Sequence, residues 1–257
     1  MSESQEAIYP SLKDRVVFIT GGASGIGGAI TEKFCEQGAK VSFVDIDDAS
    51  AHALIARIEA RGWSPPRYQH CDLVDIKALQ ASIERTIATD GAVTVLVNNA
   101  ANDNRHTIDQ VTPEYFDDRI AINLRHQFFA VQAVHRSMAA AGGGSIVNIG
   151  SVSWMIGQGG MPCYSAAKAA VAGLTRSLAR DLGPSNIRVN SVLPGWILTP
   201  RQIEKWLTPE GEQELLTRQC LKRKLTPEEL ARVVLFFAAD DSGICTNQNY
   251  VADGGWA

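Results

Sequence analysis

Cysteine is scarce and unpatterned in this sequence. Its five residues, Cys35, Cys71, Cys163, Cys220 and Cys245, are odd in number and contain no CxxC spacing. That excludes a disulfide framework and a thiolate metal cluster, so the thiols read as the reduced thiols of a cytoplasmic protein, and no metal site is expected. Long apolar runs are missing too. None approaches the ~20 residues that a membrane-spanning helix needs. The opening Met1-Ser2-Glu3-Ser4-Gln5-Glu6 has neither the basic nor the apolar region of a secretory signal. An excess of positive charge is also absent. With 24 Lys and Arg against 28 Asp and Glu the net charge is -4, which leaves no footprint for nucleic acid or an anionic membrane. No linker, repeat or low-complexity stretch divides the 257 residues, which read as one domain, 1–257.

What is present is alternation. Strand-like runs at Val16 to Thr20, Lys40 to Asp45, Arg67 to Cys71, Val93 to Val97, Ser145 to Gly150, Arg188 to Val192 and Asn249 to Ala252 are separated by helical stretches. These include Gly25 to Gln37, Ala49 to Arg61, one starting at Val74, one through Asp118 to Leu124, and Tyr164 to Leu182. Several runs are apolar on both faces, as in a parallel sheet covered on each side. The pattern predicts an α/β fold: a doubly wound parallel sheet with helices on both faces. A polar segment, 199–224, interrupts the alternation and reads as a substrate lid at the C-terminal edge of the sheet.

Thr20-Gly21-Gly22-Ala23-Ser24-Gly25-Ile26-Gly27 lies between the first strand and the first helix. Glycine permits a tight turn and close approach of a pyrophosphate, and the helix start offers free N–H groups. The spacing is Gly-x3-Gly-x-Gly, not GxGxxG. Asp45 ends the second strand, where a carboxylate accepts from an adenosine ribose and repels a 2′-phosphate. NAD is therefore expected over NADP. Asp72 is placed to accept from the adenine amino group or to cap the helix from Val74.

Tyr164 and Lys168 are one helical turn apart on one face. A phenol titrates near ~10, and a neighbouring ammonium lowers that value toward the range of a useful base. Ser151 follows a strand at the catalytic edge and is a candidate to hold the substrate oxygen; Ser153 competes, and either also reads as a cap. Asn123, on an apolar helical stretch, reads equally as a functional or a buried structural Asn.

Taken in order, TGGASGIG, Asp72, Asn98-Asn99-Ala100, Asn123, Ser151, Tyr164-x3-Lys168 and Pro194-Gly195 resemble the short-chain dehydrogenase/reductase family from about Leu12 to Trp256. The resemblance implies a Rossmann-type fold and roles by position. Tyr164 would be the acid/base, and Lys168 would bind the nicotinamide ribose and lower the phenol. Ser151 would orient the substrate oxygen, and Asn123 would hold a relay water. Gly21, Ser24, Gly25, Ile26 and Gly27 would hold the pyrophosphate, with Asp45, Asp72, Leu73, Asn99 and Ala100 on the adenosine side. Pro194, Gly195, Ile197 and Thr199 would line the nicotinamide side. Ala101 departs from the Gly usual after Asn-Asn-Ala.

Asn102-Asp103-Asn104-Arg105-His106, Asn123-Leu124-Arg125-His126, Ser151-Val152-Ser153-Trp154 and the stretch Arg201 to Glu212 are similar to bacterial aldose 1-dehydrogenases, which act on D-xylose, L-arabinose or D-galactose. The resemblance implies a small-molecule sugar substrate, oxidised at C1 to the lactone, and a homotetramer. Asn102, Asp103 and Ser153 would supply hydrogen bonds, and Trp154, Trp196 or Trp206 a flat apolar surface. Alternatives are another carbinol substrate (a polyol, a steroid or a 3-oxoacyl thioester) and a non-catalytic cofactor-binding protein. The basic run Arg218, Lys222, Arg223 and Lys224 is either a docking surface for an acyl carrier or a solvated helix end.

Overall fold

Val16–Thr20 (β1) is buried at every position, as a run apolar on both faces requires when helices cover both sides. The computed structural model describes residues 6–257; Met1 to Gln5, most of the N-terminal segment read above, lie outside the described residues. After β1 come Gly25–Glu36 (α1), Lys40–Asp45 (β2), Asp48–Ala60 (α2), Arg67–His70 (β3), Ile76–Asp90 (α3) and Val95–Asn98 (β4). Pro113–Ile120 (α4), His126–Ala140 (α5), Gly144–Ile149 (β5), Pro162–Leu182 (α6) and Ile187–Pro194 (β6) follow. Pro200–Lys205 (α7), Pro209–Arg218 (α8), Pro227–Ala238 (α9) and Asn249–Ala252 (β7) complete the order.

Among the described residues the seven strands form one sheet in the order β3-β2-β1-β4-β5-β6-β7, every pair parallel. The predicted doubly wound α/β fold is therefore present. Strand order reverses between β1 and β4, and ligands in such sheets bind outside the carboxyl ends at that reversal. One core layer packs Ile30 and Phe34 of α1, Leu54 of α2 and Val234 of α9 against the sheet. The other packs Leu79 and Ile83 of α3, Val131 and Val134 of α5 and Leu178 of α6 against the opposite face. No helix among the described residues is long and apolar enough to cross a membrane.

Three local readings change. The helix expected from Val74 starts at Ile76, because Asp75, not Asp72, supplies the cap: its side chain accepts from Ala78 N. β4 begins at Val95 rather than Val93. The stretch around Asn123 is not one α-helix. A π-helical turn, Ala121–Arg125, joins α4 to α5. The lid expected over 199–224 is α7 and α8, inserted between β6 and α9. It is closed off by a bridge between Ile197 and Leu225.

Candidate active site

The glycine turn leaves β1 with Gly21 at φ +65° and enters α1 with Gly25 at φ +55°, both left-handed values that favour glycine. A Cβ on Gly21 would lie 2.8 Å from the Ala100 Cα. Ser24 precedes α1, yet its hydroxyl caps none of the helix N–H groups. An α-helix leaves its first N–H groups without intrahelical partners, so the turn presents free donors and the positive end of a dipole. The donor set suits a pyrophosphate.

Two side chains hold this turn in shape. Asp45 Oδ2 accepts from Ala23 N at 2.9 Å, and its Oδ1 accepts from Ile46 N at 2.8 Å. Asn99 donates from Nδ2 to the Thr20 and Gly21 carbonyls at 3.1 and 2.8 Å. Asp45 stands at the end of β2, where a ribose acceptor was expected, and doubles as a brace for the turn. Asp72 accepts from Val74 N at 3.0 Å, and Leu73 is buried in the core.

A cleft of about 410 Å³ opens beyond β4, β5 and β6. Ile26, Asn99, Ser151, Ser153, Tyr164 and Lys168 line it, as do Pro194, Gly195, Trp196, Ile197, Thr199 and Trp206. Residues as far apart in sequence as Ile26 and Trp256 are thus brought together. Ala101 lines the cleft and is exposed, so its methyl meets open space rather than packed atoms.

Pro162 at the first turn of α6 sets Tyr164 at the mouth of that helix. Burial pushes the Tyr164 phenol up to about 12; hydrogen bonding from Ser151 opposes this, the Asp103 charge adds to it, and the Arg105 charge opposes it. Lys168 lies on the same face one turn on. Its Nζ donates to the Ile149 carbonyl at 2.8 Å and sits 5.8 Å from the Tyr164 ring centroid. Burial alone brings its ammonium down to about 7. The groups that favour the phenolate here are Ser151 and Arg105.

The two serines separate by their partners. Ser151 Oγ accepts from Ser153 N at 3.1 Å and lies on the side that lowers the Tyr164 phenol, whereas the Ser153 hydroxyl is taken by Ser165 at 3.3 Å. Asn123 is fully buried and its side chain is spent. Oδ1 accepts from Asn102 N at 2.8 Å, and Nδ2 donates to the Arg119 and Asn102 carbonyls. Any water it holds must meet the backbone, which the π turn frees from regular α pairing.

The substrate wall differs most from the sequence reading. Trp154 is 40% exposed and does not line the cleft. Asn102 stands behind it, with its side chain accepting from Asn104 N at 3.0 Å. Asp103 lines the cleft, but its carboxylate accepts from Gln202 at 2.7 Å and from Arg201 at 3.3 Å. Gln202 in turn accepts from Trp196 Nε1 at 2.9 Å. Arg105, Gln202 and Trp256 are among the lining residues that carried no assigned role. A cation stranded in an otherwise polar turn was the available signal for Arg105; nothing local marks Trp256.

Cys163, next to Tyr164, is buried, as an inert thiol is expected to be. The basic run is largely neutralised: Arg218 pairs with Glu214 at 2.9 Å, Arg223 with Glu229 at 2.6 Å and Lys224 with Glu212 at 2.7 Å.

Comparison with known proteins agrees with this geometry. A family model described as enoyl-(acyl carrier protein) reductase matches residues 21–257. The chain is 50% identical to a D-xylose 1-dehydrogenase of Caulobacter vibrioides over 97% of this chain and 98% of that protein. It is 47% identical to a probable galactose dehydrogenase of Rhizobium meliloti over 96% of each. A short-chain type dehydrogenase/reductase from Mycobacterium ulcerans superposes with a TM-score of 0.90 at 27% identity, covering 96% of this chain and 90% of that one. The chain belongs to the short-chain dehydrogenase/reductase family, oxidoreductases that act on carbinol carbons with a nicotinamide cofactor.

Proposed function

We propose that this protein oxidises a pyranose aldose at C1 to the aldonolactone, with NAD as cofactor and Tyr164 as general base. The observation that carries the reading is the cleft in which Tyr164, Ser151 and Lys168 meet a wall of polar side chains and indoles. The names of the sugar-oxidising relatives support the same substrate class.

Ser151 holds the C1 oxygen beside the Tyr164 phenol. Tyr164, as phenolate, takes the proton from that hydroxyl as the C1–O bond becomes a carbonyl. NAD, when bound, supplies the acceptor for the C1 hydride. Lys168 holds the nicotinamide ribose and passes the phenol's proton onward through a water on the Asn123 backbone. The free donors of Ser24, Gly25, Ile26 and Gly27 hold the pyrophosphate, and Asp45 binds the adenosine ribose while its charge disfavours a 2′-phosphate. Asp72, Leu73 and Ala100 border the adenosine; Pro194, Gly195, Ile197 and Thr199 border the nicotinamide. The assembly is a homotetramer by analogy with the family.

The neutralised run at Arg218, Arg223 and Lys224 disfavours an acidic acyl carrier as partner. A panel of aldoses, polyols, a steroid and a 3-oxoacyl thioester, each with NAD and NADP and followed at the nicotinamide absorbance, tests the reading. Aldoses with NAD are expected to lead in kcat/KM, with lactone trapped by hydroxylamine. Preference for a steroid or thioester overturns the substrate class; equal use of NADP overturns the role of Asp45.

A further inference from the structure

Three buried side-chain donors on the cleft residues have no hydrogen-bond partner among the described residues: Arg105 Nη1, Trp206 Nε1 and Trp256 Nε1. A buried donor left unpaired costs about 1–3 kcal/mol. Among the described residues, no fully buried acceptor of a cleft residue is left unpartnered beside them. The cleft therefore suits a ligand that brings several acceptor oxygens.

Their arrangement is held in place. The Arg105 guanidinium stacks 5.3 Å from the Trp206 ring centroid, which keeps its plane fixed and its long side chain ordered before any ligand arrives. Trp256 is positioned by the turn around Asp253, whose carboxylate accepts from Gly255 N and Ala257 N, both at 2.7 Å. That turn is tied to the end of α8 through Cys220 N and Leu221 N, which donate to the Gly255 and Gly254 carbonyls. Asp103 and Glu214 line the same cleft, each already paired with an arginine, Arg201 and Arg218.

We propose that Arg105, with Trp206 and Trp256, donates hydrogen bonds to the ring hydroxyls remote from the reacting carbon and so determines which aldose is accepted. The inference rests on the aldose reading above, and it names donors rather than the aromatic stacking surface expected of the tryptophans. A site built to bond a hydroxyl discriminates strongly against an analogue that lacks it.

The test uses the full-length enzyme, its Arg105→Met variant and its Trp256→Phe variant, which keeps the ring and loses the N–H. Two readouts are needed. One is kcat/KM for D-xylose and its monodeoxy analogues. The other is calorimetric binding of anhydroxylitol, which has the ring hydroxyls of xylopyranose and no oxidisable anomeric one, to the NADH-saturated protein. The parent is expected to discriminate against at least one deoxy analogue by about tenfold or more. That ratio should collapse in the matching variant, and anhydroxylitol should bind more weakly while NADH binding is unchanged. Variants that lose activity equally on every sugar, or lose none, overturn the proposal. A parent that binds anhydroxylitol through these residues but oxidises no aldose leaves the donor set standing and sinks the reaction. A parent that neither binds nor oxidises sinks both.

Discussion

Tyr164 and Lys168 share a helix face, yet the Lys168 ammonium is bonded to the Ile149 carbonyl, and each group is governed first by its own burial. A phenol raised to about 12 is protonated at neutral pH. Oxidative turnover is therefore expected to climb as pH rises into the alkaline range, read from initial rates at saturating sugar. Tyr164→Phe should lower kcat by about a hundredfold to ten-thousandfold with cofactor binding retained; a variant keeping most of its turnover would remove Tyr164 from its role. Lys168 makes a separate prediction. Its folded-state value of about 7 lies below the ordinary 10.5. Between these values the unfolded chain binds the proton and the folded one does not, so stability rises with pH across that window and falls back as pH drops toward 7. Urea midpoints at pH 7 and pH 10 should show this rise, at roughly 1 kcal/mol per pH unit. The rise should be absent in Lys168→Met. Parallel trends in both proteins would refute it.

At the scale of elements, α7 is latched rather than free. Gln202 joins the Trp196 indole to the Asp103 carboxylate, and Arg201 adds a partly exposed ion pair to the same group. The latch links β6, the lid and the loop after β4. Gln202→Ala frees both partners at once. It is expected to raise the sugar KM by about tenfold, corresponding to the ~1.5 kcal/mol of a hydrogen bond to a charged group, while the KM for NAD stays put. An effect on the cofactor alone would show that α7 serves the cofactor rather than the sugar. The exposed pair from Arg201 is screened and matters less.

Across the whole molecule, one buried polar chain ties α6 to the sheet. Asn98 donates to Asn148 at 2.9 Å, and Asn148 donates to Thr175 of α6 at 3.0 Å. All three are fully buried, and Tyr164 and Lys168 ride on the same helix. Thr175→Val leaves the Asn148 amide unpaired and should cost about 1–3 kcal/mol, measured as a lower urea midpoint with an unchanged slope. No loss of stability would mean that apolar packing alone seats α6.

The strands, the glycine turn, Asp45 and the shared face of Tyr164 and Lys168 were legible in the chain, because each follows from a period of two or 3.6 residues or from a short turn. The differing partners of Ser151 and Ser153, the outward turn of Trp154 and the retreat of Asn102 behind the cleft were not. Neither were the latch on Asp103, the bond from Lys168 to Ile149 and the entry of Arg105, Gln202 and Trp256 into the cleft. Local pattern says which side of an element a residue occupies. Which donor meets which acceptor depends on segments from 12 to 99 residues apart, and that pairing exists only once β4, β5, β6 and the lid are packed together. The sequence therefore determined where the chemistry sits, and the tertiary structure decided what surrounds it.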